Sequence, residues 1–190
     1  MLPPARGLMC RRSLIGVLLL AGCQPGGDLQ ALPEYQPQGY HLGPGDQIRL
    51  ITFGEEQLTG QFLVDDQGRV GVPLLGSVDA AGLTPRRLEE KISENLKARN
   101  LLRDPHVTVE VTAYRPIFVL GEVSKPGQYA YQPGMTLLTG VAVAGGFTYR
   151  AVERYAAVVR TVDGRAVEGR VVPSSFLAPG DVVKVLERNF

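Results

Sequence analysis

Ile117-Phe118-Val119-Leu120-Gly121-Glu122-Val123, then Ser124-Lys125-Pro126-Gly127, then Gln128-Tyr129-Ala130-Tyr131, is the stretch whose reading decides the fold. Pro126 presets the backbone of a turn and Gly127 can take a positive φ, so the two apolar runs are expected as antiparallel neighbours. Pro133-Gly134-Met135 is a second breaker. Beyond it Leu137, Leu138, Val141, Ala142 and Ala144 fall on one helical stripe that stops at Gly145-Gly146. Gly140 interrupts that stripe. A glycine inside a helix costs about 0.5 to 1 kcal/mol relative to alanine, which leaves either a weak helix or one that lets another backbone come close.

Downstream, Tyr155 to Val162 and Arg165 to Val172 are apolar-rich runs joined by Asp163-Gly164, a two-residue hairpin signal. Leu177-Ala178-Pro179-Gly180-Asp181 then leads into Val182 to Leu186 and is expected to close the sheet. It echoes an earlier passage, Gly43-Pro44-Gly45-Asp46 running into Gln47 to Leu50. There Gly-Pro-Gly sets a bend and the Asp46 carboxylate is placed to accept nearby amides. Phe62-Leu63-Val64 and Arg69 to Val72 flank Asp65-Asp66-Gln67-Gly68 as a hairpin, with Gly68 at the position needing a positive φ. Pro73 to Val78 continues as an edge or connecting strand. Thr84 is an N-cap and Pro85 a first helical residue, after which Leu88, Ile92 and Leu96 repeat every four residues. Val107, Val109, Val111 and Ala113 alternate with polar residues as a half-buried strand. The expected class is α+β: a small mixed sheet with one helix, followed by a second sheet domain.

The chain of 190 residues is 44% apolar and 21% charged, the make-up of one or two ordinary globular domains. Its formal charge is +1, but Arg6, Arg11 and Arg12 precede Cys23 and no acidic residue does. The remainder carries 17 basic against 19 acidic residues, −2, which gives no reason to expect a nucleic acid partner. Arg11-Arg12 followed by Leu14 to Ala21 is an address: eight apolar residues fall far short of the roughly 20 that span a bilayer. Either Met1 or Met9 opens it. Leu20-Ala21-Gly22-Cys23 resembles a bacterial lipobox, with small residues before a thiol that accepts a diacylglyceryl group. Cys23 is the only cysteine of the exported part and has no partner for an internal disulfide. Gln24 follows it, and the resemblance to enterobacterial lipoproteins implies the outer membrane, since an Asp there would retain the protein at the inner one. Gln24 to Gln38, with five Pro and Gly residues and little periodicity, is a tether composition.

Two family resemblances follow from these motifs. Gly121-Glu122-Val123, Pro126-Gly127, Tyr129, Gly134-Met135-Thr136-Leu137-Leu138 and Ala144-Gly145-Gly146 resemble the soluble-ligand-binding β-grasp (SLBB) module. Gly43-Pro44-Gly45-Asp46, Gly68 with Val70, Pro73-Leu74-Leu75-Gly76, Ala81-Gly82-Leu83-Thr84 and Asp104-Pro105 resemble the polysaccharide export domain of bacterial capsule and exopolysaccharide exporters. The implied organisation is a signal peptide at 1–22, a lipidated tether at 23–39, an export domain at 40–113 and an SLBB domain at 114–190. The resemblance implies a lipid-anchored protein on the periplasmic face of the outer membrane. It also implies a homo-oligomeric ring around a polysaccharide polymer, working with an inner-membrane polysaccharide co-polymerase. Larger members end in an amphipathic helix that builds the outer-membrane pore. The expectation here is no such helix, with a separate outer-membrane β-barrel completing the route. Thr139-Gly140 also departs from the family's more frequent Asp-Ala.

Passage of a hydrated polymer needs a wet wall and no nucleophile, metal or cofactor. Gln67, Arg69, Glu122, Lys125, Gln128 and Tyr129 stand at turn or strand-edge positions as possible polymer contacts, the bland reading being that they keep turns soluble. Asp65-Asp66 is read as a solvated turn rather than a catalytic pair, and His41 and His106 as a turn-entry residue and the polar side of a strand. No zinc-helix, paired-cysteine or nucleophile-elbow motif is present, and Gly145-Gly146 follows a helix where a phosphate loop precedes one. No enzymatic activity is expected. The rival reading is a monomeric lipoprotein that binds a sugar or another small ligand, with Tyr129, Tyr131 and Tyr149 stacking on sugar faces.

Overall fold

The computed structural model describes residues 26–37, 39–162 and 164–188. Cys23 and the signal segment lie outside them, as does Asp163 of the expected hairpin.

The first domain is built on strand β1 (Gln47–Thr52), where Ile48 and Leu50 point inward and are fully buried while Gln47 and Arg49 face out. β1 is flanked by β2 (Gly60–Leu63) and β5 (Val107–Ala113), both antiparallel to it. Helix α1 (Pro85–Ala98) covers this sheet with Leu88, Ile92 and Leu96, all fully buried, as the four-residue repeat predicts. Thr84 caps it by accepting the Arg87 amide at 3.3 Å, and Pro85 occupies its first turn. The Glu89 carboxylate accepts the Val109 amide at 2.8 Å and pins helix to strand.

The expected hairpin around Asp65 is corrected. Its turn is present: Gly68 has φ +77°, and the Asp65 carboxylate takes the Gln67 and Arg69 amides at 2.9 and 2.8 Å. The strands on either side share only a Val64–Val70 bridge. Strand β3 (Arg69–Val72) pairs with β4 (Gly76–Asp79) as a separate two-stranded sheet, turning through Pro73-Leu74-Leu75 with Leu74 at φ +64°. The Arg69 amide is spent on the Asp65 side chain, and beyond the Val64–Val70 bridge no further pairing with β2 follows. Val70, Val72 and Val78 still reach the same core from the small sheet.

In the second domain, β6 (Ile117–Gly121) and β7 (Gly127–Tyr129) are antiparallel across the Pro126 turn. Gly127 keeps ordinary backbone angles, and the positive φ falls at Gly121, +84°. Strands β8 (Ala156–Val162) and β9 (Arg165–Val171) form the expected hairpin, and with β10 (Val182–Val185) the sheet runs β7-β6-β10-β8-β9. Strand β10 lies between β6 and β8, parallel to the first and antiparallel to the second. It closes the sheet from the centre, joining β6 to β8, which is why Val183 and Val185 are buried. Helix α2 (Leu137–Val143) is held at its start by a reciprocal Thr136–Thr139 capping box. It ends at Ala144, Gly145 (φ +85°) and Gly146 (φ +86°). Gly140 is buried, and a Cβ there would stand 2.9 Å from Leu177 Cδ1 and 3.4 Å from Ile117 Cδ1. The open question about this glycine resolves to close packing, here against side chains.

The segment before Tyr40 is not free along its length. The Leu32 amide donates to the Arg170 carbonyl at 3.0 Å and the Arg170 amide to the Gln30 carbonyl at 2.8 Å, so Ala31 lies as a parallel bridge on the outer edge of β9. Leu32 enters the second core. The composition of this stretch is that of a tether, but one leucine and an open strand edge suffice to dock it.

Candidate functional site

The two Pro-Gly-Asp turns are the same device used twice. Gly45 and Gly180 have φ +93° and +90°, which only glycine adopts cheaply. In each turn the aspartate, fully buried, folds back to accept the amide three residues earlier: Gly43 N to Asp46 Oδ2 and Ala178 N to Asp181 Oδ2, both 2.8 Å. Each aspartate also faces an arginine. Arg160 makes a two-pronged contact with Asp181, Nε to Oδ1 at 2.9 Å and Nη2 to Oδ2 at 2.7 Å. Asp46 accepts the Arg115 amide at 3.0 Å, with Arg115 Nε at 3.4 Å.

Arg115 stands where the chain passes from the first sheet to the second, so Asp46 clamps the crossing. Tyr40 donates to Asp46 at 2.5 Å and meets Tyr114 edge-to-face at 4.8 Å, and Tyr114 meets the Tyr131 ring at 5.8 Å. On the other side, the Phe118 amide donates to the Asp181 carbonyl and the Gly180 amide to Pro116. Both turns contribute to a cleft of about 660 Å³, lined by Tyr35, Tyr40, Pro44, His41, Arg115 and Pro179 among others. Arg160 lies 5.5 Å from the Tyr35 ring centre, a cation–π contact, and reaches the Pro33 carbonyl at 3.2 Å. With both arginines matched by buried carboxylates, the cleft offers aromatic edges, polar groups and the exposed Glu34 carboxylate. Such a wall suits a hydroxylated ligand.

Burial, then the hydrogen bond to Asp46, raises the Tyr40 phenol well above its ordinary 10.0. Burial likewise pushes Tyr131 up to about 12. Below pH 10 both folded and unfolded chains keep these protons, so nothing is lost. Above it the unfolded chain releases them first and gains relative stability. The urea midpoint is therefore expected to fall from about pH 10 upward, and Tyr40→Phe to flatten part of that fall. An identical slope in wild type and Tyr40→Phe between about pH 10 and 11 would rule out the Tyr40 contribution.

The SLBB-motif residues come together at the other end of the domain. Ser124 and Lys125 donate their amides to Gly146 and Ala144 carbonyls at 3.0 and 2.8 Å, and Glu122 accepts the Thr148 hydroxyl at 2.5 Å. The possible polymer contacts do not form one surface. Gln67 and Arg69 bond each other in the first domain's Asp65 turn. Lys125, Gln128 and Tyr129 belong to the β6–β7 turn, where the Tyr129 hydroxyl donates to the Lys125 carbonyl. Tyr131, expected at the surface, is buried in the second core because it closes the tyrosine stack; Tyr149 is exposed. Reading by motif missed Tyr35, Tyr40, Arg115 and Arg160. Arg160, a lone charge in the apolar run Ala156 to Val162, was the available signal. Among the described residues no three His, Cys, Asp or Glu side chains are placed to hold a metal ion.

Residues 34–112 match the family model described as "Polysaccharide biosynthesis/export protein", and residues 116–171 match the SLBB domain. The chain belongs to the polysaccharide export protein family, with one SLBB domain behind the export domain. It is similar to the exopolysaccharide production protein ExoF of Rhizobium meliloti (strain 1021), 32% identical over 141 residues, 68% of this chain and 32% of that protein. It is 33% identical over 115 residues, 59% of this chain, to the EPS I polysaccharide export outer membrane protein EpsA of Ralstonia nicotianae, covering 29% of it. The polysialic acid transport protein KpsD of Escherichia coli is 28% identical over 146 residues, 76% of this chain and 25% of its own length. The chain thus spans about a third or less of the length of these relatives.

Proposed function

We propose that this protein is a periplasmic ring-forming component of an outer-membrane polysaccharide export machine, anchored through lipid on Cys23. The observation that carries the reading is the locked junction. The export domain runs directly into the SLBB domain through Arg115, which the Asp46 turn holds on one side while the Asp181 turn holds Pro116 and Phe118 on the other. A stiff two-domain protomer repeated head to tail generates a closed lumen when its rotation closes. Phe118 and Leu120, apolar and partly exposed on one face of β6, support a contact between copies. The polymer slides through without chemistry. An inner-membrane polysaccharide co-polymerase supplies it and a separate outer-membrane β-barrel carries it across. Among the described residues no helix is long and apolar enough to cross a membrane, which is compatible with that division.

The cleft favours a second reading, a monomeric carbohydrate-binding lipoprotein, with Tyr35 and Tyr40 in place of the β-grasp tyrosines. Mass measurement of the protein without its lipid, alone and with its membrane partners, separates the two. A discrete ring supports the conduit, and persistent monomer with saturable oligosaccharide binding supports the rival. Cys23→Ser is expected to leave the urea midpoint unchanged, release the protein from the outer membrane fraction and lower surface polysaccharide. Unaltered fractionation would exclude the anchor.

A further inference from the structure

We propose that the second domain rests directly on the lipid surface, with the rim formed by Tyr149, Arg150 and Arg188 at the headgroups. The inference rests on the lipid anchor at Cys23 put forward above and concerns where that anchor holds the folded body. A free tether from Cys23 to Tyr40 would be 17 residues long and span up to about 60 Å. The structure shortens it. Gly169 in β9 has no side chain where the segment crosses: a Cβ there would stand 2.8 Å from Leu32 Cγ and 2.9 Å from the Gln30 carbonyl oxygen. Leu32 is buried, and Arg160 holds the Pro33 carbonyl. At the far end a Cβ on Gly26 would stand 2.7 Å from Leu186 Cδ1, so the chain is against the second domain already at that residue. Only Gln24 and Pro25 separate Cys23 from Gly26, a reach of about 10 Å.

Leu186 identifies the end of the domain that this short leash draws to the membrane. Its carbonyl accepts the Val152 amide at 2.8 Å, Arg188 N donates to the Arg150 carbonyl at 2.8 Å, and Arg188 Nη2 to the Tyr149 carbonyl at 2.7 Å. Tyr149 is 82% exposed. A phenol with an apolar body and a polar tip is suited to the interface, and guanidinium groups to lipid phosphates. Arg150 is paired with Glu187, so the lipid chains hold the protein and the rim orients it.

The test uses the full lipidated protein in vesicles of phosphatidylethanolamine and phosphatidylglycerol. An environment-sensitive fluorophore is placed at Tyr149→Cys, or at Thr108→Cys in the first domain as the reference. A blue shift and quenching by brominated lipid at 149, with neither at 108, is the expected result. A flexible Gly-Ser insertion of about ten residues after Cys23 leaves the fold untouched and is expected to abolish the shift. A vesicle-bound protein, with diacylglyceryl found on Cys23 by mass spectrometry but water-like emission at 149, overturns the inference and spares the anchor. Absence of the diacylglyceryl group removes both. A shift already present in lipid-free Cys23→Ser protein at ring-forming concentration assigns the rim to a second copy and likewise overturns it.

Discussion

Gly121→Ala is expected to lower stability by about 3 kcal/mol or more, a large part of the 5 to 15 kcal/mol available to a domain. Two costs fall together. The backbone at φ +84° disfavours any L side chain, and the new Cβ would overlap the Val185 carbonyl oxygen, with the carbonyl carbon 3.1 Å away. That carbonyl belongs to the central strand, in parallel register with Gly121, and also accepts the Glu122 amide at 3.1 Å. It cannot yield without parting β6 from β10. Gly134 separates the two costs, since it has φ +80° and nothing within 4 Å of a built Cβ. Gly134→Ala is expected to lose only about 1 kcal/mol, the conformational part. Equal shifts of the urea midpoint for the two variants would refute the steric argument.

Asp181→Ala is expected to cost about 3 to 5 kcal/mol, because it strands Arg160 in the interior. Arg160 is 8% exposed at its side chain and Asp181 1%, so water cannot replace the lost partner. The Ala178 amide loses its acceptor as well, loosening the turn that feeds β10. Removing both charges, as Arg160→Leu with Asp181→Ala, is expected to recover a substantial share, since a buried pair is often no better than apolar packing. The Pro33 and Phe176 carbonyls, which Arg160 also holds, set the part not recovered. The double-mutant cycle measures the coupling. A single-variant loss below about 1 kcal/mol would show that the pair is not the closed, desolvated contact described.

What the sequence by itself determined was whatever is settled within a few neighbouring residues. The four-residue repeat of Leu88, Ile92 and Leu96, the Thr84-Pro85 start, the alternation from Val107 to Ala113 and the strand-turn-strand-helix from Ile117 to Gly146 were legible because period, caps and breakers act locally. The Asp65 turn was legible for the same reason, whereas the destination of its second strand was not. That β3 pairs along its length with β4 and only at Val70 with Val64 depends on a core assembled from distant valines. Only the tertiary structure placed β10 at the centre of its sheet, buried Tyr131, and brought Tyr35, Tyr40, Arg115 and Arg160 around one cleft. It alone decided that Gln30 to Leu32 dock on β9, since a strand edge and the space above Gly169 exist only once the sheet has formed. Sequence patterns record which residues seek burial. Which partner buries them is settled by backbone hydrogen bonds and volumes shared between segments more than a hundred residues apart.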